Sequence, residues 1–162
     1  MKKIKILLLT LSAAVLLGAC VNIPETPELH ISLPVAGTEE VWTDTDYQGQ
    51  PVLLAVMATY CPWCKRSLPA LEAANAEFKD KGVQVIGIFV DENEDDVKDI
   101  IDQYDLESTI LYQGGQAAQD LMVGGFPHIM LFDKDHDLVR IWSGYSDTLA
   151  EEYQKEINKL LD

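Results

Sequence analysis

Two cysteines separated by two residues are the part of this sequence best suited to chemistry. They are Cys61 and Cys64, in the segment Cys-Pro-Trp-Cys. Two thiols at this spacing can form and break a disulfide, which favours thiol-disulfide exchange. Zinc half-sites and static disulfides use the same spacing. However, zinc needs four ligands, and so short a disulfide loop would constrain the unfolded chain little, so the redox interpretation is the stronger one.

The residues around the pair predict the elements that position it. An unbroken apolar run over residues 52–58 predicts a buried strand. A helix should follow, because apolar residues recur at steps of three and four at Leu68, Leu71, Ala74 and Phe78. Cys61 then lies at a helix N-terminus, where free N–H groups and the helix dipole stabilise a thiolate. Pro62 suits the first helical position. We expect Cys61 to attack and Cys64, one turn into the helix, to resolve the mixed disulfide.

Two prolines add to this pattern. Pro69 falls inside the predicted helix, where it should kink the chain. Farther on, Gly-Gly-Phe-Pro-His over residues 124–128 precedes a predicted strand over 129–132. An X-Pro bond after paired glycines at the entrance of a strand predicts a cis peptide between Phe126 and Pro127.

This order of features resembles the thioredoxin superfamily: a strand, Cys-x-x-Cys, a helix that contains a proline, and later Gly-x-Pro at the start of a strand. In that family the cis-proline loop packs against the dithiol and offers its backbone to the substrate. The resemblance therefore implies a substrate-binding role for Phe126 and Pro127, and it implies no cofactor. Trp63, between the cysteines, is expected to be exposed and to contact a partner chain. The alternative is a ring folded onto the neighbouring loop.

The segment between the first helix and the cis-proline loop has room for more elements than a minimal thioredoxin. Strands are predicted over 83–90 and 109–112, and helices over 94–104 and 116–122. With these additions, residues 38–162 resemble the TlpA/ResA-type membrane-anchored thiol-disulfide oxidoreductases. The expected fold class is α/β, thioredoxin-like: a central mixed β-sheet flanked by helices, with an extra strand-helix insertion before the cis-proline loop. A last helix over 148–161 has a predicted capping box of Thr148 and Glu151.

Some positions depart from the family pattern. Ala55 stands where thioredoxins carry a buried acid, and Ser67 stands where some ResA-like proteins carry a glutamate. Deprotonation of the resolving thiol would then depend on water or on another group, such as Glu72 or His128. His128 is a candidate proton relay because it follows the cis-proline loop, although a satisfied or simply exposed histidine is an open alternative. Copper capture by the dithiol and His128 is a further alternative, and no resident metal is predicted.

The N-terminus predicts export and lipid attachment. Three lysines precede an apolar stretch over residues 6–17, which is too short to cross a bilayer and fits the core of a signal peptide. The stretch ends in Leu-Gly-Ala-Cys, which resembles the lipobox of bacterial lipoproteins and implies that Cys20 is lipidated after cleavage. The alternative is an ordinary secretory signal with a chance cysteine. The predicted location is the cell envelope, lipid-anchored outside the cytoplasm, on the periplasmic side or the cell surface.

The chain after Cys20 is polar and interrupted by Pro24, Pro27 and Pro34, so it is interpreted as a tether. An extra strand from residues 30–34 is the alternative. The predicted organisation is thus a lipoprotein signal peptide over 1–19, a lipidated cysteine and tether over 20–37, and a thioredoxin-like domain over 38–162.

The charge balance limits the partners. The net charge is −15 at pH 7, so nucleic acid is not an expected partner. Acidic clusters at 91–96 and 133–137 are interpreted as solvated turns and faces. Metal binding at 91–96 is not favoured, because the spacing of a calcium loop is missing.

The resemblance implies reduction of disulfides in exported proteins, including the thiols of apocytochrome c, with a thioredoxin-linked membrane electron donor as the second partner. Three alternatives stay open. A disulfide-donating oxidase would use the same atoms. A thiol peroxidase would need an upstream Thr or Ser at a spacing that Thr59 does not give. A non-enzymatic surface lipoprotein would use the fold only for binding.

Overall fold

The structure is a computed structural model that describes residues 27–162. The predicted signal peptide, Cys20 and residues 21–26 of the predicted tether lie outside the described residues. Between residues 27 and 162, no helix is both long and apolar enough to cross a membrane.

A mixed sheet of five strands forms the centre of the fold. The strands of the described residues, in the central sheet and in a separate hairpin together, are in chain order β1 (Ser32–Pro34), β2 (Val41–Thr43), β3 (Val52–Met57), β4 (Gln84–Phe89), β5 (Thr109–Leu111), β6 (His128–Phe132) and β7 (Leu138–Ser143). The helices are α1 (Pro62–Phe78), α2 (Glu94–Tyr104), α3 (Gly115–Asp120) and α4 (Leu149–Leu161). The sheet order is β5-β4-β3-β6-β7, while β1 and β2 form a separate hairpin. Strands β3, β4 and β5 are parallel, whereas β6 is antiparallel to both β3 and β7. The carboxyl ends of β3 and β4 therefore meet at one edge of the sheet.

The central position of β3 follows from its composition. All six of its residues are apolar and buried, as expected for a strand covered on both faces. Successive side chains point to opposite faces. Leu53 and Ala55 belong to the apolar cluster under α1, whereas Leu54 and Val56 belong to the cluster on the other face.

Helices and the hairpin cover the two faces of the sheet. Helices α1, α2 and α4 contribute to one apolar cluster, through Phe78, Val97, Ile100, Tyr153 and Ile157. The segment before β1, strand β2 and helix α3 contribute to the other, through Leu29, Ile31, Trp42, Ala118 and Leu121. The predicted thioredoxin-like architecture, with its added strand and helix elements between α1 and the cis-proline loop, is confirmed.

The folded domain begins earlier in the chain than predicted. Residues 27–37, which the prolines assigned to the tether, lie against the sheet, with Leu29 and Ile31 each 3% exposed. The backbone N–H of Ile31 donates to Asp44 Oδ1 at 2.7 Å, and the N–H of Asp44 donates back to the Ile31 carbonyl at 3.1 Å. The alternative of an extra strand in this segment is closer to the structure, because β1 pairs with β2. Any tether is therefore shorter than proposed.

All four helices are present as predicted, although α3 begins one residue earlier and ends two residues earlier than expected, and α4 is capped differently. Helix α2 has the predicted bounds, and Pro69 lies inside α1. At α4 the predicted capping box is not formed. The hydroxyl of Thr148 instead donates to Glu152 Oε1 at 2.6 Å, so Glu152, and not Glu151, is its partner.

Candidate active site

Cys61 is the N-cap residue of α1, and its sulfur takes the place of a capping acceptor. The backbone of Cys61 is extended, with φ −87° and ψ 113°, and its Sγ accepts the backbone N–H of Cys64 at 3.2 Å. Pro62, at the first helical position, lacks an N–H that the helix would not use. An N–H that points at sulfur from the positive end of a helix stabilises negative charge there. The geometry thus suits a thiolate at Cys61.

The two sulfurs differ in access. Cys61 is 9% exposed and Cys64 is 1% exposed. Both are free thiols. A substrate sulfur that approaches along the surface therefore meets Cys61 first, while Cys64 lies beneath it in the helix. The positions in the helix are those that the sequence predicted, with Cys61 at the N-terminus and Cys64 one turn in.

The loop before β6 closes over the dithiol. The Phe126–Pro127 peptide is cis, as expected. The Cys61 thiol lies 3.7 Å from the carbonyl oxygen of Phe126 and donates to it. Phe126, a predicted substrate-binding residue distant in sequence from the cysteines, therefore lies beside the Cys61 sulfur.

Cys64 holds its proton firmly. Burial raises the pKa of the Cys64 thiol from 9.0 to about 12, and its hydrogen bond with Cys61 adds to the increase. Near neutral pH, Cys64 is thus a thiol.

The raised pKa of Cys64 makes the stability of the folded dithiol form depend on pH. The folded dithiol keeps the Cys64 proton at pH values where the unfolded chain has lost it, so alkali favours unfolding. We expect the dithiol form to lose stability as the pH rises from about 9 toward about 12. The disulfide form has no proton at Cys64 and should show only the loss that buried Tyr153, whose pKa is also raised by burial, gives to both forms. Thermal unfolding of both forms between about pH 8 and about pH 11 measures the difference. The same alkaline decline in both forms would contradict a buried Cys64 thiol.

The ring of Trp63 is both exposed and folded onto a neighbouring loop, so it has features of both alternatives left open by the sequence. Its ring stacks on Tyr145, with centroids 5.9 Å apart and planes 21° apart, and the Arg66 guanidinium lies 4.9 Å from the centre of the ring. Trp63 nevertheless remains 53% exposed. The ring is therefore held on a neighbouring loop and still presents a flat apolar surface next to Cys61.

His128 does not contact the dithiol. In the sheet register it pairs with Val56 and Ser143, whereas Ile129 pairs with Ala55. Side chains alternate across a strand, so His128 lies on the face opposite Ile129, and Ile129 shares the cluster that contains both cysteines. The hydrogen-bond partner of His128 is Ser143 Oγ at 3.4 Å, and burial lowers the pKa of His128. The geometry gives no support to a direct proton relay or to copper capture with the cysteines.

Glu72, the other candidate proton acceptor, forms its hydrogen bonds with residues away from the dithiol. The Glu72 carboxylate accepts the backbone N–H of Glu107 at 2.9 Å and the hydroxyl of Ser108. Ser67, at the position of the ResA glutamate, donates its hydroxyl to the Cys64 carbonyl at 2.7 Å. Among residues 27–162, no carboxylate is hydrogen-bonded to either cysteine. Proton transfer at Cys64 is thus left to solvent or to the reacting sulfurs.

Asp91 has a role at this site that no sequence pattern indicated. The acidic cluster that contains it was interpreted as a solvated turn, yet the Asp91 carboxylate accepts both the backbone N–H and the hydroxyl of Thr59, at 2.9 Å and 2.6 Å. Thr59 lies in the loop that leads into Cys61. The signal that could have found this contact is the parallel pairing of β3 and β4, which places the residues after both strands at the same edge of the sheet.

Comparison with known proteins agrees with this site. The AhpC/TSA family matches residues 27–147. The chain belongs to this family. The match begins within the segment that was predicted to be tether, in agreement with the early start of the fold.

Several proteins with sequences similar to this chain carry the name thiol-disulfide oxidoreductase ResA. The Bacillus thuringiensis protein is 31% identical over 114 residues, which cover 69% of this chain and 66% of that protein. The Halalkalibacterium halodurans protein is 28% identical over 114 residues, or 69% of this chain and 65% of that one. The alignment thus spans slightly less than two thirds of these relatives. The predicted resemblance to the TlpA/ResA type is confirmed.

Solved structures show the same fold. A candidate thiol:disulfide interchange protein DsbE from Chlorobium tepidum superposes with a TM-score of 0.77 at 25% identity, over 84% of this chain and 96% of that chain. The thioredoxin domain of a thiol-disulfide oxidoreductase from Bacteroides vulgatus has a TM-score of 0.72 at 24% identity, over 81% and 95% of the two chains. The likeness to the second protein concerns the fold alone.

Proposed function

We propose that this chain is an exported thiol-disulfide oxidoreductase that acts through Cys61 and Cys64. The observation that carries the proposal is the position of Cys61 Sγ, which accepts the Cys64 N–H at 3.2 Å at the start of α1 and lies 3.7 Å from the Phe126 carbonyl oxygen. The ResA relatives, named thiol-disulfide oxidoreductases, support the same activity.

The proposed reaction takes two exchange steps. The Cys61 thiolate attacks one sulfur of a substrate disulfide, the substrate S–S bond breaks, and the released sulfur takes up a proton. Cys64 then gives up its proton and attacks the Cys61 sulfur. The mixed disulfide breaks and the second substrate sulfur leaves as a thiol. The substrate gains two electrons and two protons, and the protein is left with a Cys61–Cys64 disulfide.

The direction of electron flow is proposed to be reduction of the substrate, because of the resemblance to TlpA/ResA proteins. A thioredoxin-linked membrane electron donor would then reduce the Cys61–Cys64 disulfide again. The test is the reduction potential of the full chain carrying Cys20→Ser, equilibrated in defined thiol buffers. A value near about −270 mV supports a reductase, whereas a value near about −120 mV would identify a disulfide-donating oxidase.

The proposed substrates are exported proteins that contain disulfides, and the ResA resemblance adds apocytochrome c before haem attachment. Deletion of the gene should lower the level of covalently bound haem in cytochromes c, and an added thiol reductant should restore it. Normal haem attachment in the deletion strain would remove apocytochrome c from the proposal and leave the exchange activity standing.

Trp63, Phe126 and Pro127 are proposed to bind the substrate chain. Trp63 offers the exposed ring, and the Phe126 carbonyl lies beside the attacking sulfur. An exposed aromatic ring at a contact contributes to binding through apolar area and stacking.

Trp63→Ala should therefore lower the second-order rate constant for a protein disulfide by about threefold to tenfold. The rate with glutathione disulfide should change little, because that substrate is too small to cover the ring. Val41→Ala, which shortens an exposed apolar side chain of the hairpin, is the control. Equal losses with both substrates would mean that Trp63 supports the dithiol and not the substrate.

Lipid attachment at Cys20 and a location on the outer side of a membrane complete the proposal. The support is the lipobox-like Leu-Gly-Ala-Cys that follows the apolar stretch over residues 6–17. Cells grown with a labelled fatty acid should yield a labelled wild-type chain and an unlabelled Cys20→Ser chain. Label in the Cys20→Ser chain would place the lipid elsewhere.

A further inference from the structure

The carboxylate of Asp91 connects two loops at the edge of the sheet where the dithiol lies. Asp91 follows β4, and Thr59 follows β3. One carboxylate oxygen accepts the backbone N–H of Thr59 at 2.9 Å, and the other accepts its hydroxyl at 2.6 Å. Asp91 takes part in none of the ion pairs formed within residues 27–162. Thr59 is therefore the side-chain partner that satisfies this carboxylate.

Thr59 lies in the turn that delivers Cys61. The backbone N–H of Cys61 donates to the Ala58 carbonyl at 3.1 Å, which closes a turn with Thr59 and Tyr60 in its middle. Tyr60 is 73% exposed, so its side chain adds little to hold the turn. The two bonds from Asp91 fasten this turn to the sheet.

The Asp91 side of the contact is well anchored. The Asp91 carbonyl accepts the N–H of Gln113 at 2.9 Å, and the N–H of the preceding Val90 donates to the Met57 carbonyl at 3.0 Å. Strands β3 and β4 pair in parallel up to Met57 and Phe89. The carboxylate thus projects from a fixed point, and a charged acceptor makes stronger hydrogen bonds than a neutral one.

The position of the Cys61 sulfur depends on this turn. Its contacts, at 3.2 Å from the Cys64 nitrogen and 3.7 Å from the Phe126 oxygen, are hydrogen bonds made by sulfur, and their geometry depends on where the turn places Cys61. A small shift of the turn would therefore weaken the N–H bond that stabilises the thiolate.

We propose that Asp91 is a positioning residue for thiol-disulfide exchange, which acts by fixing the Ala58–Cys61 turn through Thr59 so that the Cys61 sulfur meets the Cys64 N–H. This inference rests on the proposed function and assigns Asp91 no contact with the substrate.

The test is the rate at which iodoacetamide alkylates Cys61 in the full chain carrying Cys20→Ser and Cys64→Ser, where Cys61 is the remaining thiol. Thr59→Val removes the hydroxyl and leaves the net charge unchanged, and it should slow alkylation about tenfold. Thr59→Ser keeps the hydroxyl and should restore most of the rate. Asp91→Asn cannot accept both bonds and should also slow the reaction. Thr59→Val and Asp91→Asn disrupt the same contact between Thr59 and Asp91. The variant that carries both changes should therefore alkylate no more slowly than the slower of the two single variants.

Asp133→Asn is the matched control. Asp133, like Asp91, accepts two hydrogen bonds, here from the backbone N–H groups of Asp135 at 2.9 Å and Asp137 at 3.0 Å, but it lies in the β6–β7 turn. In the Asp133→Asn chain, Cys61 should be alkylated at the same rate as in the parent chain. Thermal unfolding of each variant shows whether it is folded, and the comparison of Thr59→Val with Thr59→Ser decides the question even if Asp91→Asn does not fold.

The proposal is overturned if Thr59→Val alkylates at the parent rate, or if Asp91→Asn alkylates faster, since the carboxylate would then act only as a negative charge that disfavours the thiolate. Exchange of the chain that retains both cysteines with glutathione disulfide is measured in parallel. Absence of that exchange would contradict the proposed function, whereas the alkylation rates report on the positioning role independently.

Discussion

Replacing Cys61 with Ser should lower the rate of protein disulfide reduction by at least about a thousandfold. The hydroxyl of Ser does not ionise near neutral pH and cannot take the place of a thiolate as the attacking group. Cys64 cannot substitute for it, because it is 1% exposed and burial raises its pKa to about 12. The measurement is the reduction of a disulfide-containing protein in the presence of a fixed excess of dithiol reductant.

Cys20→Ser alone is the matched control for this loss, since it removes a cysteine that the proposed reaction does not use. This change should leave the rate of protein disulfide reduction unchanged when the chain is assayed without detergent. A Cys61→Ser chain that keeps its cellular role would favour the alternative of a surface lipoprotein that uses the fold only for binding.

Gly114→Ala should destabilise the domain by about 1–3 kcal/mol. A Cβ at this position would overlap Cγ2 of Ile88 and come within 3.0 Å of the Phe89 carbonyl oxygen. Ile88 is fully buried in β4, so its methyl group cannot move into solvent. The Gly114 N–H also donates to the Phe89 carbonyl at 3.0 Å, at the end of β4 and two residues before Asp91. Urea unfolding followed by tryptophan fluorescence measures the change.

The neighbouring glycine is the control for this substitution. At Gly115 an added Cβ would find no atom closer than 3.9 Å, and the residue is the first of α3. Gly115→Ala should keep or slightly raise the free energy of unfolding, because alanine favours helix more than glycine does. Equal losses in the two variants would mean that the close approach of Gly114 to β4 does not limit stability.

The central elements of the fold could be predicted because their patterns are strong and local. The buried strand β3 is an unbroken apolar run, and α2 carries its apolar residues at helical spacing, so both were found with nearly their observed bounds. The segment before residue 38 was harder. Its prolines suggested a tether, while its burial depends on Leu29 and Ile31, whose partners on the sheet come from later in the chain.

The candidate site was predictable where it depends on local spacing. Cys61 and Cys64 gain their positions from the helix that begins between them. The place of His128 depends on register, since a difference of one residue along β6 moves a side chain to the other face. The contact of Asp91 with Thr59 depends on the parallel pairing of two strands distant in sequence, which no local pattern reveals.

Trapping the mixed disulfide tests most directly whether Cys61 is the attacking sulfur. The full chain carrying Cys20→Ser and Cys64→Ser is mixed with a disulfide-containing protein, and the covalent product is mapped by mass spectrometry. We expect a substrate joined to Cys61, and no product from the matching chain that carries Cys61→Ser and retains Cys64. A substrate joined to Cys64 in that second chain, with none joined to Cys61 in the first, would contradict the assignment of Cys61 as the attacking sulfur.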